Sequence, residues 1–392
     1  CIRDSPNTIG SMNNLARLYE SLGEYSKALS LYEQTLNLSK KVLGEEHPNT
    51  IGSMNNLAGL YRAKGEYNKA QPLLEQALKL RKKVLGEEHP DTLTSTNNLA
   101  MLYSAKGEYT KVQFLLEQAL NLSKKILGEE HPNTLTSMNN LAAFYESKGE
   151  YNKAQPLLEQ ALELRKKVLG QEHPNTLSSM NNLAALYSSI GEYTKALPLY
   201  DQALELRKKV LGQEHPDTLT SMNNLAGLYK AKGEYTKAQP LYERVLELRK
   251  KVLGKEHFDT LGSMNNLGTL YEAKGEYTKA LPLYEQTLEL CKKVLGEEHP
   301  NTLMSMNNLA SLYYRQNKKD EALKAFKKAY DISLKILGEN HPTTQQFKEN
   351  YLHVKEELEG SSSANSSKSA SSRQEEFNEP LTTLLYLAKG AA

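Results

Sequence analysis

Adjacent pairs of asparagine recur once in every 42 residues of the chain, and the repetition of these amide side chains needs a physical explanation. Asparagine inside a helix costs roughly 0.6 kcal/mol relative to alanine, so an offsetting contact is expected. One explanation is binding, because an amide offers both a donor and an acceptor to the backbone of an extended peptide. The alternative is that one amide of each pair bonds to the backbone of an adjacent helix and locks the fold. The first asparagines of the pairs are Asn13, Asn55, Asn97, Asn139, Asn181, Asn223, Asn265 and Asn307.

No other recurring residue predicts catalysis or metal binding. One histidine closes each repeat, from His47 to His341, without a second ligand three or four residues away, so a turn or capping role is predicted. Cys291 takes the place of an arginine or serine at a helix end that we expect to be exposed, and it lacks the histidine and acid of a catalytic thiol. Phosphate-binding, dinucleotide-binding and zinc-protease motifs are absent from the sequence. We therefore expect a protein that is not an enzyme and that has no cofactor and no metal.

The element that positions these residues is a repeated unit of 42 residues. Eight copies begin near residues 6, 48, 90, 132, 174, 216, 258 and 300, and a ninth stops after its first half. In each copy, apolar residues fall at helical spacing in two blocks that are separated by a glycine such as Gly65. Two such helices bury their apolar faces only by stacking on neighbouring copies, which predicts an all-α solenoid over residues 1–359. The half copy at 343–358 is polar and is expected to cap the stack.

The start of the second helix of each copy has a predicted N-cap. Asn68, Thr110 and their counterparts carry side chains that suit this position. With that cap, Pro72 and its counterparts fall in the first turn, where a proline removes at most one backbone hydrogen bond.

Composition narrows the range of partners and locations. With 49 basic and 47 acidic residues the net charge is +2, which gives no reason to expect a nucleic acid or a membrane surface as partner. No apolar run approaches membrane-spanning length. The presence of only two cysteines favours a reducing, cytoplasmic setting. Because the chain starts at Cys1 and enters a repeat almost at once, we expect it to belong to a longer protein.

The C-terminal residues differ from the repeats. Residues 360–376 are rich in serine and are predicted to form a disordered linker. Residues 377–392 form a short apolar tail that contains Leu381, Leu384, Leu385 and Leu387.

The repeated unit resembles a known family. The spacing of Leu15, Ala16, Tyr19, Ala28 and Tyr32 is similar to the tetratricopeptide signature, whose ordinary unit has about 34 residues. The longer unit here, with NNLA in the first helix and GEYxKA at the turn, resembles the repeats of kinesin light chains and their bacterial relatives. The resemblance implies a right-handed superhelical α-solenoid of eight tetratricopeptide helix pairs plus a C-terminal capping helix. It also implies a concave peptide-binding groove that the first asparagine of each pair faces, and a leucine-rich tail that competes for this groove.

In this fold, the positions four and seven residues after each first asparagine also line the groove, and they vary between copies. Small residues there leave room for a ligand, and charged ones select among ligands, although neutral drift on a solvated face would give the same variation. The candidates at these positions are Arg17, Arg62, Met101, Glu146, Lys230 and Glu272.

The function predicted from the sequence is a non-catalytic scaffold or adaptor that binds peptide segments of partner (cargo) proteins in its concave groove. The alternative is a regulatory or sensor arm of a larger signalling ATPase or protease whose catalytic domain lies outside this chain. A structural spacer without a ligand is a third interpretation.

Overall fold

The computed structural model describes residues 6–22 and 24–363. These residues form seventeen α-helices, and no strand occurs among them, which confirms the predicted all-α solenoid of helix pairs. They fall into two compact units, one that ends at His257 and one that begins at Phe258. The first unit contains α1 (Pro6–Ser21), α2 (Tyr25–Leu43), α3 (Pro48–Ala63), α4 (Tyr67–Leu85), α5 (Pro90–Ala105), α6 (Tyr109–Leu127), α7 (Pro132–Ser147), α8 (Tyr151–Leu169), α9 (Pro174–Ser189), α10 (Tyr193–Leu211), α11 (Pro216–Ala231) and α12 (Tyr235–Val252). The second contains α13 (Phe258–Ala273), α14 (Tyr277–Leu295), α15 (Pro300–Arg315), α16 (Lys319–Leu337) and α17 (Pro342–Ser363).

The odd-numbered helices, here called A helices, begin at a histidine cap. The Nδ1 atom of His47 accepts a hydrogen bond from the backbone N–H of Asn49 at 3.1 Å, and Pro48 occupies the first helical position. The same bond recurs at His89, His131, His173, His215, His299 and His341. The predicted capping role of these histidines is therefore confirmed.

The even-numbered helices, here called B helices, begin earlier than predicted. Helix α4 starts at Tyr67 after Glu66, whose side chain makes no capping bond, so the predicted N-cap Asn68 lies inside the helix. The reason is the tight turn before it: Gly65 has a φ of 73°, and the N–H of Glu66 bonds back to the carbonyl of Tyr61 at 2.8 Å. Pro72 consequently lies inside the helix beyond its first turn, and the first-turn prediction was wrong.

The core of each unit is built from the same few positions in every repeat. Helices A and B of one repeat pack together, and helix B then packs on helix A of the next repeat. Leu57, with a repeat packed before it, is 4% exposed, whereas its counterpart Leu15 in the first repeat is 43% exposed. The repeats therefore depend on their neighbours for burial, as a solenoid requires.

One position near the end of helix B, expected to be exposed, is buried. Cys291 is 3% exposed and its thiol lies 3.7 Å from the Ser305 hydroxyl of the next repeat, so its predicted exposure was wrong. Where this position holds Arg165, the guanidinium donates to Asn175 O, Ser179 Oγ and Thr136 Oγ1 at 2.8–3.2 Å. The residues at this position in order are Ser39, Arg81, Ser123, Arg165, Arg207, Arg249, Cys291 and Ser333.

Helix α17 closes the second unit. Phe347 and Val354 are fully buried and belong to apolar clusters with residues of α15 and α16, such as Leu303 and Phe326. The helix runs from Pro342 to Ser363, longer than the predicted 343–358, and takes in the first residues assigned to the linker. The rest of the predicted linker and the whole apolar tail lie outside the described residues.

Candidate peptide-binding surface

The candidate site lies on the A helices. In the first unit, the A helices of successive repeats also contact each other directly: α1 with α3, α3 with α5, α5 with α7, α7 with α9 and α9 with α11. Positions i, i+4 and i+7 share one face of a helix, so each first asparagine and the two variable positions after it lie in one row. We call the rows on α1 to α11 together the A-helix surface. Asn265, Asn307 and Glu272 occupy the corresponding rows of α13 and α15 in the second unit.

In some repeats the first asparagine bonds both to its own helix and to the next repeat. The Asn181 amide nitrogen donates to Leu177 O at 2.9 Å and to Ser221 Oγ of the following A helix at 3.0 Å. Asn55 makes the same two contacts, to Ile51 O and to Ser95 Oγ. These bonds offset the cost of a polar side chain in a helix interior.

Several second asparagines bond back to the preceding repeat. The Asn182 amide nitrogen donates to the carbonyl oxygen of Asn139, the first asparagine one repeat earlier, at 3.3 Å. Asn308 bonds to Asn265 at 2.7 Å and Asn350 to Asn307 at 2.9 Å in the same way. The Asn224 amide nitrogen, by contrast, has no partner among the described residues. The bonded amides connect one A helix to the next through side chains, whereas the structural explanation above placed the bond on the backbone of the adjacent helix. The carbonyl oxygens of Asn13, Asn97 and Asn181 have no hydrogen-bond partner in the described protein, and a ligand-facing role for the first asparagines stays a prediction.

The charged residues at the first end of the A-helix surface neutralise each other. Glu20 accepts a hydrogen bond from the Tyr32 hydroxyl at 2.9 Å and lies in the field of Arg17 and Arg62. Burial raises the pKa of Glu20, and the tyrosine bond and the two arginines oppose that rise. Burial lowers the pKa of Arg62 while Tyr67 and Glu20 oppose that fall, so this guanidinium is half-buried beside an acidic group.

Glu272, at the same helix position in the second unit, is also neutralised. Its carboxylate accepts a hydrogen bond from Tyr284 Oη at 2.7 Å and pairs with Arg315 Nε at 2.8 Å. The tyrosine lies twelve residues after the glutamate, as Tyr32 does after Glu20. This spacing of glutamate and tyrosine is visible in the sequence and was missed there.

Glu146 has a different environment. Its half-buried carboxylate accepts one hydrogen bond, from Ser189 Oγ at 3.2 Å. Burial raises the pKa of Glu146 to about 7, which the serine bond only partly opposes. The residue twelve positions later is Leu158, which has no hydroxyl to donate.

The remaining candidates share the same half-exposed face. Met101 on α5 and Lys230 on α11 are half-buried, and the small residues Gly59 and Ala143 occupy equivalent rows. Among the described residues no cluster of three or more histidines, cysteines or acidic groups is arranged to hold a metal ion. None of the helices in the described ranges is both long enough and apolar enough to cross a membrane.

Each unit of the chain is a stack of two-helix repeats with a variable row of side chains on each A helix. This architecture places the chain in the class of helical-repeat proteins. The family model for the tetratricopeptide repeat matches residues 7–83, 50–125, 115–167, 133–209, 184–251, 217–290 and 259–335. The chain therefore belongs to the tetratricopeptide repeat family, whose members generally act as protein-interaction scaffolds and are typically not catalytic.

The chain is also similar to several solved structures. The putative kinesin light chain with nearly identical TPR-like repeats from Podosopora anserina is 36% identical, over 53% of this chain and 98% of that one, with a TM-score of 0.44. BtubC (BKLC) from P. vanneervenii is 27% identical, over 60% of this chain and 92% of that one, with a TM-score of 0.45. The apo form of RapI is 17% identical, over 73% of this chain and 98% of that one, with a TM-score of 0.53, and shares the fold. A comparison with curated proteins found no match.

Proposed function

We propose that this chain is a non-catalytic adaptor that binds extended peptide segments of partner proteins along the A-helix surface. The observation that carries the proposal is the contrast between repeated and variable positions. Core residues such as Leu57 and Ala58 recur almost unchanged in every A helix. The row on the same helices seven residues after each first asparagine instead changes from acidic to basic to small, as in Glu20, Arg62 and Ser104. Selection among peptide ligands would use such a row, because charge and size are what discriminate between partners.

The first asparagines would contact the main chain of the peptide in this proposal. Asn97 and Asn181 each keep a carbonyl oxygen without a hydrogen-bond partner, and these oxygens are acceptors for peptide N–H groups. Both oxygens are buried, so each side chain would have to rotate outward and exchange a bond in the stack for one to the ligand. Binding through these amides is therefore expected to read the peptide backbone, while the variable rows read its side chains.

A peptide-array screen tests the proposal. The wild type is compared with a first-asparagine variant, in which Asn139, Asn181 and Asn223 are all changed to alanine. The matched control changes the second asparagines Asn140, Asn182 and Asn224 to alanine, because they lie on the same three helices and include Asn182, which bonds to the preceding A helix. We expect the wild type to bind a defined subset of peptides, the first-asparagine variant to bind them at least tenfold more weakly, and the control to retain binding.

Each outcome of the screen tests one part of the proposed function. A wild type that binds no peptide would refute the adaptor function. Equal binding by the wild type and the first-asparagine variant would remove the amides from the mechanism. Helical circular dichroism of each variant establishes that a loss of binding is not a loss of fold.

The apolar tail at 377–392, which lies outside the described residues, is a second proposed ligand, and it would bind the corresponding rows of the C-terminal repeats. Its leucines, Leu381, Leu384, Leu385 and Leu387, follow a serine-rich segment of about 17 residues, which has a typical reach of roughly 23 Å as a flexible chain. Deleting residues 377–392 is expected to increase the affinity for peptides identified in the screen. Unchanged affinity would eliminate the tail as a competitor.

We further propose a cytoplasmic location, which the cysteine content supports. The chain has only Cys1 and Cys291, as expected of a protein in a reducing compartment. Fractionation of cells that express the protein tests this proposal.

A further inference from the structure

Among the eight complete repeats, three A helices carry a glutamate at the same position, and their surroundings form an internal comparison. Glu20 has the Tyr32 hydroxyl and a neighbouring arginine, and Glu272 has the Tyr284 hydroxyl and Arg315. Glu146 has one hydrogen bond from a serine. Of these three carboxylates, the one on α7 is therefore the least compensated.

Residues at two positions differ between these repeats and account for the weaker compensation at Glu146. Leu158 stands where Tyr32 and Tyr284 supply a hydroxyl to the other two glutamates. Ser189 stands 43 residues after Glu146, as Arg315 stands 43 residues after Glu272. A guanidinium at that position reaches the carboxylate, since Arg315 Nε lies 2.8 Å from Glu272. At Glu146, the same place holds only a serine hydroxyl.

Neighbouring helices do not supply a countercharge. Helix α9 contains no charged residue, and the only charged residue of α5 is Asp91 in its first turn. Lys148, just beyond α7, lies over the Tyr109 ring at 4.7 Å. Lys153, in the first turn of α8, pairs with Glu150 at 2.6 Å and lies over the Tyr145 ring.

The tyrosines near the ends of α5, α7 and α9 are also engaged elsewhere. Their hydroxyls donate to carboxylates on the B helix of the preceding repeat, and these pairs are Tyr103 with Glu75, Tyr145 with Glu117, and Tyr187 with Glu159. A carboxylate that is withdrawn from water without a cation or several donors is unfavourable, and such a group is stabilised when a cation binds to it.

We propose that Glu146 is the subsite for a cationic side chain, lysine or arginine, of the peptide bound on the A-helix surface. This inference rests on the proposed adaptor function and adds the chemistry of one ligand position. The Arg315–Glu272 pair is its intramolecular template, with the arginine supplied by the protein itself. Ser104 and Ser188, which flank Glu146 at the same position of the adjacent A helices, are small enough to leave room for the incoming side chain.

Binding is tested with peptides from the array that the wild type retains, each compared with versions in which one lysine or arginine is replaced by norleucine. We expect one of these replacements, at the peptide position that contacts Glu146, to weaken binding to the wild type at least tenfold. The variant Glu146→Gln should bind both versions alike. Glu163→Gln, which removes an exposed carboxylate from α8 of the same repeat, should keep the wild-type preference.

The pH dependence gives a second readout. A cation binds the ionised carboxylate, and the pKa of Glu146 is about 7, so affinity for the basic peptide should rise about tenfold from pH 6 to pH 8. The norleucine peptide and the Glu146→Gln variant should lack this rise.

A third variant keeps the test decisive if Glu146→Gln folds poorly. Ser189→Arg places an arginine where Arg315 stands in the second unit, and it should abolish the preference for basic peptides while peptides without a cation still bind. Basic-residue preference that persists in both Glu146→Gln and Ser189→Arg would overturn the inference and leave the adaptor function intact. A wild type that binds no peptide would refute both.

Discussion

Replacing Glu146 with glutamine should stabilise the protein, and more strongly as the pH rises. Burial raises the pKa of the Glu146 carboxyl from 4.5 to about 7, so the folded state holds this proton more tightly than the unfolded state does. The stabilising effect of the protonated form is fully present below about pH 4.5 and is lost as the pH rises through 7. Glutamine resembles the protonated carboxyl at every pH and does not lose this stability.

The magnitude follows from the size of the pKa shift. One pKa unit corresponds to 1.36 kcal/mol, so a rise from 4.5 to about 7 is worth on the order of 3 kcal/mol when the carboxyl is fully ionised. By linkage, the advantage of Glu146→Gln over the wild type should be about 1 kcal/mol at pH 5 and about 3 kcal/mol at pH 8. An increase of this size is large for a single substitution, since most substitutions destabilise.

Native-state hydrogen exchange of the α7 amides at pH 5 and pH 8 measures this difference where it arises. Local opening free energies suit a repeat protein better than one global midpoint, because long repeat arrays need not unfold in a single step. Glu163→Gln is the control, since it makes the same chemical change at an exposed position of α8. Equal opening free energies for the wild type and Glu146→Gln at pH 8 would refute the assignment of Glu146 as an uncompensated carboxylate.

Three further experiments probe the elements that hold the repeats together. Arg165→Ser should lower stability to urea by about 1–2 kcal/mol, because three guanidinium hydrogen bonds outweigh the burial that lowers the pKa of Arg165 to about 10; unchanged stability would show that burial cancels these bonds. In a Cys1→Ser background, Cys291 should react with a disulfide reagent at pH 8 about 100-fold more slowly than an ordinary thiol, because burial raises its pKa to about 11; rapid labelling of the folded protein would contradict its burial. His131→Ala should cost about 1 kcal/mol in urea denaturation through loss of the cap on α7, whereas His131→Ser, which can still accept that bond, should be close to neutral.

The sequence was sufficient for the fold because several local signals agreed in every repeat. Helical spacing of apolar residues, a glycine at the turn and a histidine before proline all indicated the same helix pair, and Gly65 and His47 have the predicted roles. The start of helix B was missed at Asn68, a good N-cap by residue type. The backbone bond from Glu66 to Tyr61 closes the turn earlier, and that bond involves no side chain that a sequence pattern could reveal.

The candidate surface was less predictable, because its properties depend on contacts between repeats. The face shared by Asn139 and Glu146 follows from helical spacing alone. That Asn139 accepts a bond from Asn182 depends on how two A helices stack, and a single repeat does not contain this information. The burial of Cys291 is another property of the stacked pair, since the side chain that covers this position belongs in part to the next repeat.

A repeated sequence also supplies comparisons that a single domain lacks. Nearly identical units have the same backbone structure. The environment of a residue that differs between units can therefore be compared with the equivalent environments in the same molecule. The glutamates of α1 and α13 show what a carboxylate at this position normally acquires, a tyrosine hydroxyl and an arginine. Helix α7 has the glutamate without either partner, with Leu158 and Ser189 at the positions of Tyr284 and Arg315. A half-buried carboxylate without a cation or several donors lowers the stability of the folded chain when it is ionised. A bound peptide that supplies a cationic side chain would remove this cost, which is why the proposed subsite is placed at Glu146.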